Sequence, residues 1–248
     1  MALAWRAKRQ LSSLGILAFG VLLAATAVLV LGKDAPTCAD NKQNQDEADV
    51  DCGGPCTPCL GSVQKPVARW VRFFQTSQQS YDVAAQLEHQ NLNAGAQSLR
   101  YRFKLYDKDN VLIAVRENET FLKPQERFLL FEPNVDTGFR VPQRATIELD
   151  PIAFRYMERV AFPIVVARQN FEQEPFGRLT ALVRNTGLEP IENVIVQAVL
   201  FDAAENAIAA SVTTVALVPA QREVPAVLTW PYAFQTQPAR IAVFLRTR

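Results

Sequence analysis

YRFKLYDKDNVLIAV (residues 101–115) and VQAVLFDAAENAIAA (196–210) superimpose at an offset near 95 residues. Leu105 falls on Leu200, Tyr106 on Phe201, Asp107 on Asp202 and Ile113 on Ile208. Working outward, LKPQER (122–127) lies over LVPAQR (217–222), and RATIEL (144–149) over RIAVFL (240–245). Upstream, EHQNLNAG echoes LVRNTGLE after a one-residue slip. A self-similarity of this length means one structural unit used twice.

The unit reads as β. Leu99, Tyr101, Phe103 and Leu105 alternate with Arg100, Arg102, Lys104 and Tyr106, and Val83, Ala85 and Leu87 alternate with Asp82, Ala84, Gln86 and Glu88. A period of two with one apolar face predicts half-buried antiparallel strands. Asp107 and Asp202 follow an aromatic strand end, where the carboxylate can accept backbone N–H bonds of its own turn. The Leu-x-Pro steps mark strand hand-overs, because proline is confined to strand ends and edges. The fold class expected is all-β: two tandem β-sandwiches over residues 66–152 and 160–248. FRYMERVAF (154–162) lies between the copies, and Tyr156 and Met157 are expected to pack at that junction.

The strand with Phe103, Leu105, Tyr106 and Asp107 resembles the FxLYD family of immunoglobulin-like domains. The second copy keeps Leu200 and Asp202, carries Phe201 for tyrosine and has Ala198 in place of the first phenylalanine; Asn185 to Gly187 also resembles a loop of that family. The resemblance implies immunoglobulin-like sandwiches, often tandem and often on bacterial surface proteins, with no general activity attached.

Ahead of the repeat the chain changes character. Leu11 to Gly32 holds 22 residues without a charge, long enough as a helix (about 33 Å) to cross a hydrocarbon core of about 30 Å. Arg6, Lys8 and Arg9 precede it and Asp34 and Asp40 follow, so residues 1–10 read as a cytoplasmic tail, 11–32 as a transmembrane anchor and the rest as extracytoplasmic. A cleaved signal peptide ending at ATA (25–27) is the rival, against which the apolar run continues through VLVLG. No small-residue pair of lipobox type precedes Cys38.

Residues 33–62 form a third region that contains every cysteine: Cys38, Cys52, Cys56 and Cys59. Outside the cytoplasm an even cysteine count reads as disulfides, and four cysteines allow three pairings. Zinc thiolates would favour two CxxC pairs, and only Cys56–Cys59 has that spacing. A redox role for that pair needs a helix N-terminus, whereas Gly53, Gly54, Pro55 and Pro58 predict turns. Asp40, Asn44, Glu47 and Asp51 place oxygen donors densely enough to suggest calcium, with a solvated acidic loop as the alternative. The pattern of Cys38, Asp40, Asn44, Glu47, Asp51, Cys52, Gly53, Gly54, Cys56 and Cys59 resembles a short DCGGxCxxC module of secreted and surface-anchored bacterial proteins. That resemblance implies an envelope location and no catalysis, and in a bacterial protein the sequon at Asn118 carries no message.

Catalytic signals are sparse. His89 is the single histidine and continues the inward alternation of its strand, which places it at a sandwich rim. Glu117, Glu119 and Glu126 supply carboxylates, but nothing in the spacing selects an acid–base pair. There is no Gly-x-Ser-x-Gly elbow and no phosphate-binding glycine loop. A net charge of +1 provides no electrostatic case for nucleic acid. Trp70 and Phe74, near Arg69 and Arg72, are candidates for an interface, with core filling as the alternative. The function expected is a single-pass, non-enzymatic interaction or scaffolding protein of the envelope with an envelope protein as partner. The alternatives are a ligand- or glycan-binding module and, less favoured, a thiol-redox factor.

Overall fold

The computed structural model describes residues 15–23, 26, 37–160 and 163–247. Residues 15–23 are helical; the rest of the expected 11–32 span and the 1–10 tail lie almost wholly outside the described residues. Among the described residues no helix is long and apolar enough to cross a membrane. The chain divides into two compact units, one ending at Cys59 and one covering Leu60–Arg248.

The second unit is all-β. Its strands are β1 (Val67–Gln75), β2 (Ser80–Glu88), β3 (Ala94–Tyr106), β4 (Leu112–Leu122), β5 (Arg127–Asp136), β6 (Arg144–Leu149) and β7 (Arg155–Tyr156). They continue as β8 (Ile164–Glu172), β9 (Arg178–Asn185), β10 (Ile191–Phe201), β11 (Ala207–Val218), β12 (Glu223–Thr229) and β13 (Arg240–Arg246). The sheet orders are β1-β2-β5 with β4-β3-β6, then β8-β9-β12 with β11-β10-β13, all pairs antiparallel. The first six strands and the last six therefore repeat one topology.

Each half packs its two sheets face to face over its own core. Val83, Leu87, Phe128 and Leu130 meet Leu99, Phe103, Leu105 and Leu122 in the first. Leu179, Val183 and Leu228 meet Val194, Val196, Leu200 and Val218 in the second. A third cluster joins the halves: Phe74, Ala84 and Leu129 from the β1-β2-β5 sheet pack against Val199, Phe201, Ala207 and Ala210 from the β11-β10-β13 sheet. The second unit is thus a stack of four sheets, and its two inner sheets are buried on both faces. Fully burying a side chain the size of Leu or Phe contributes about 1.5–3 kcal/mol. Sheets covered on both faces are built from unbroken apolar runs, and FLLF (128–131) and IAVFL (241–245) are such runs. The outer face expected to be polar on β2 is, at Ala84, entirely buried.

The docking is asymmetric, and the repeat explains how one sequence plan serves both positions. On β3 the face away from the core carries Arg102 and Lys104, which pair with Glu117 on β4 and Glu148 on β6. The equivalent face of the second half is pressed against the first, and there Gln197 replaces Arg102, Val199 replaces Lys104, Val212 replaces Glu117 and Phe244 replaces Glu148. Unpaired charges at those places would be desolvated at a cost of several kcal/mol each.

The turns after β3 and β10 match atom for atom. Asp107 Oδ1 accepts from Asp109 and Val111 N–H, and Asp202 Oδ1 from Ala204 and Asn206 N–H. Asn110 and Glu205 both adopt φ of 61°. Arg144 stacks over Tyr106 and Arg240 over Phe201, at 4.1 and 3.8 Å from the ring centroids.

Two alignments need correction. β11 is one residue longer than β4, so the turn at Pro124-Gln125 corresponds to Ala220-Gln221, not to Pro219-Ala220. Upstream, His89 and Asn185 are the equivalent residues, since His89 N–H donates to Glu126 O and Asn185 N–H to Arg222 O. The linker is also reassigned. β7 pairs with Ala94-Gly95 of β3 and Phe154 packs into the first core, so Tyr156 and Met157 belong to the first sandwich. A Cβ at Gly95 would sit 2.6 Å from the backbone oxygen of Leu122, which cannot move aside as the Met157 side chain can, and this explains the glycine.

Candidate functional site

The docked halves enclose an open groove of about 650 Å³ along one side of their junction. β2 supplies Asp82 and β5 supplies Phe131, Pro133 and Asn134; the other wall is Ser211 and Val212 of β11, Thr229 at the end of β12 with Trp230 and Pro231 after it, and Phe176 from the β8–β9 connection. The alternation of β2 puts Asp82 on the face that carries Ala84, so the carboxylate lies at the rim of the apolar junction. Asn134, at φ of 55°, turns its N–H to Asp82 Oδ1 at 3.0 Å. Burial pushes the Asp82 carboxyl above the ordinary range, and that single amide bond only partly offsets it. Burial, with the Asp82 charge added, pushes the Tyr232 hydroxyl up to about 12.

Asp82 is the one ionisable residue among those lining the groove. Phe176 is 60% exposed, whereas Trp230 is buried with its indole N–H donated to Ala210 O at 3.0 Å. The groove can therefore cover an apolar or planar group and hold a donor or cation of that group against one carboxylate.

A second crevice of about 460 Å³ lies at the other side, between Glu88, His89, Gln90, Gln125, Glu126, Arg127 and Phe244. His89 is buried and its ring stacks on Phe154 at 5.9 Å. Its Nδ1 lies 2.8 Å from Lys123 O and so donates, which leaves Nε2 to accept from Asn91 Nδ2 at 2.7 Å. Asn91 in turn exchanges two bonds with the backbone of Gln64, so the histidine network ties the segment ahead of β1 to the core. Both ring nitrogens are committed to structure, to Lys123 O and Asn91 Nδ2, neither of them a nucleophile.

Beside it, Arg246 holds Glu126 with two parallel bonds, Nε to Oε1 at 2.5 Å and Nη2 to Oε2 at 3.1 Å. Nη2 also donates to Phe121 O and Nη1 to Thr120 Oγ1, and the guanidinium lies between the rings of Phe121 and Phe128. With 2% and 12% of their side chains exposed, this is a buried ion pair joining the two halves. Gln197 makes a second polar join: its amide donates to Leu129 O at 2.7 Å and accepts from Leu129 N–H at 3.0 Å. It thereby satisfies the outward backbone of edge strand β5.

The cysteine module has the pairing Cys38–Cys56 and Cys52–Cys59, and no described cysteine is free. The CxxC cysteines are therefore not partners of each other. Asp51 accepts from Asp40 and Asn41 N–H, Glu47 from Asn44 and Asp51 N–H, and Asp40 from Lys42 N–H and Asn44 Nδ2. Asn44 Oδ1 is buried without a partner. Among the described residues the one trio of potential metal ligands is Cys38, Glu47 and Cys56, two of which form a disulfide. In this arrangement the carboxylates of Asp40, Glu47 and Asp51 accept hydrogen bonds from the module's own amides.

The remaining expected residues sit as follows. Trp70 and Phe74 pack in the cluster between the two halves, with Trp70 Nε1 donating to Gln86 Oε1 at 2.8 Å. Phe103, Leu105 and Leu200 fill cores, while Tyr106, Phe201, Asp107 and Asp202 build the two turns. Glu117, Glu119 and Glu126 each pair with a different arginine and do not converge. Sequence reading missed Asp82, Arg246 and Gln197, whose roles exist only once the halves dock; the continuous apolar runs were the available signal. No protein-family model matches the chain, and no curated protein matches it.

Proposed function

We propose that this chain is a membrane-anchored extracytoplasmic protein of the bacterial envelope, built from a disulfide module and two immunoglobulin-like sandwiches, that binds an envelope protein without catalysing a reaction. The observation that carries the reading is the groove, a recognition surface lined from both halves with aromatic and proline side chains around one carboxylate. The immunoglobulin-like assignment is supported by the repeated strand order and by the paired Asp107 and Asp202 turns of the FxLYD-like strands. The extracytoplasmic placement is supported by two disulfides and by the uncharged 11–32 run.

The exposed ring of Phe176 beside Asp82 also favours a second reading, a module for small ligands or glycans. Photo-cross-linking from position 176 in native membranes separates the two. Recurrent capture of one envelope protein, abolished by Asp82→Asn, supports the interaction reading. Absence of any captured protein, with retention on immobilised glycans, replaces it by the ligand-binding reading.

A further inference from the structure

Six of the eight edge strands in the stack are blunted against pairing with another chain. Arg72 lies on β1, Glu117 on β4, Pro133 on β5, Glu148 on β6, Arg168 on β8 and Pro225 on β12. Charge and proline on an edge are the usual protections, because an edge otherwise offers a row of unpaired N–H and C=O groups. Of the other two, β11 has Ser211, Thr213 and Thr214 and runs against β12 of the outer sheet. β13 carries its charges only at its two ends: between Arg240 and Arg246 it reads Ile-Ala-Val-Phe-Leu.

Among the described residues β13 pairs with β10 alone, so its other side has no strand neighbour. All five apolar residues are half-buried, a state that central strand β10 does not share between Val196 and Phe201. Ile241, Val243 and Leu245 lean on the second core, and Ala242 and Phe244 on the junction with the first half. The absence of charge follows from a sheet buried on both faces, but it leaves the edge unprotected.

We propose that β13 pairs antiparallel with β13 of a second copy about Val243, making a two-fold dimer with one continuous inner sheet. The edge is self-complementary in that register. Val243 meets its own mate, Ile241 meets Leu245 and small Ala242 meets large Phe244. Facing residues in an antiparallel pair share a face, so the core-side set stays on the core side, whereas a one-residue slip would invert every side chain. The terminal arginines face each other across the pair, and each is already neutralised within its own chain, Arg240 by Glu205 and Arg246 by Glu126. A closed two-fold contact also ends the open edge, since no β13 is left over. This inference is independent of the groove.

The test is oxidation of the full-length chain carrying Val243→Cys, in native membranes with copper–phenanthroline. Two thiols would lose two protons and pass two electrons to the oxidant as one S–S bond forms. Facing residues in an antiparallel pair are about 4.5–5.5 Å apart at Cα, within disulfide reach. Ile147→Cys, the equivalent place on charged edge β6, is the control. The expected result is a disulfide-linked dimer from Val243→Cys and none from Ile147→Cys, with the detergent-solubilised wild-type chain sedimenting at twice its 27.6 kDa. A monomeric wild-type chain overturns the proposal. So does a dimer that Val243→Cys fails to lock, or equal cross-linking from both positions.

Discussion

Arg246 joins the two halves through one buried side chain. Its guanidinium is buried, doubly bonded to Glu126 and stacked between two phenylalanine rings. Removing one partner of such a pair leaves the other charged and desolvated, a loss of about 3–5 kcal/mol. Arg246→Ala is expected to lose that much in a denaturant titration. Asp82 is the opposite case, a carboxylate that the fold disfavours in its charged form. Its folded pKa lies above its unfolded one, so stability falls as pH rises from about 3.9 through the raised value and stays lower above it. Asp82→Asn is therefore expected to raise the melting temperature at pH 7 and to leave it unchanged near pH 3. A scan of melting temperature against pH checks both ends. Neither residue was legible in the sequence. Asp82 sat among the polar positions of an alternating strand, and Arg246 is separated from Glu126 by 120 residues.

At the scale of elements, two devices hold edges that would otherwise be open. Gln197 supplies the N–H and C=O of Leu129 with the partners a neighbouring strand would give. Gln197→Leu keeps the apolar contact and strands those two groups, at about 1–3 kcal/mol each. Equilibrium unfolding of the full chain should show the loss, and amide exchange should locate it at Leu129. In the cysteine module the Cys38–Cys56 bridge closes a loop of 18 residues, a constraint of roughly 3 kcal/mol. Replacing both cysteines with serine is expected to speed amide exchange over residues 37–59 while β10 stays protected. Period-two patterning revealed β2 and β3, and the aspartate turns were visible because both copies keep the residue. The one-residue slip near Pro219 arose because β11 is longer than β4, and strand length leaves no mark in a short motif. His89 was not recognised as the counterpart of Asn185 because different side chains perform the same capping of a strand end.

For the whole molecule, the fold class and the twofold repeat were readable, whereas the stacking of the halves was not. Docking depends on which face of each copy loses its charges, and the comparison that exposes this is between copies at single positions. Arg102, Lys104 and Glu148 stand at the surface, and Gln197, Val199 and Phe244 stand at the junction. The groove was equally hidden, since its lining runs from Thr76 to Pro231 and exists only after docking.

The most direct test of that asymmetric stack is calorimetry of the full-length chain and of the triple variant Gln197→Arg, Val199→Lys, Phe244→Glu. The variant gives the second copy the charged face that the first copy wears in water. The stack predicts one cooperative transition for the sandwiches of the wild-type chain and two separate, lower transitions for the variant, as the halves part without losing their own cores. Two transitions in the wild-type chain, or a variant that melts as the wild type does, would contradict it.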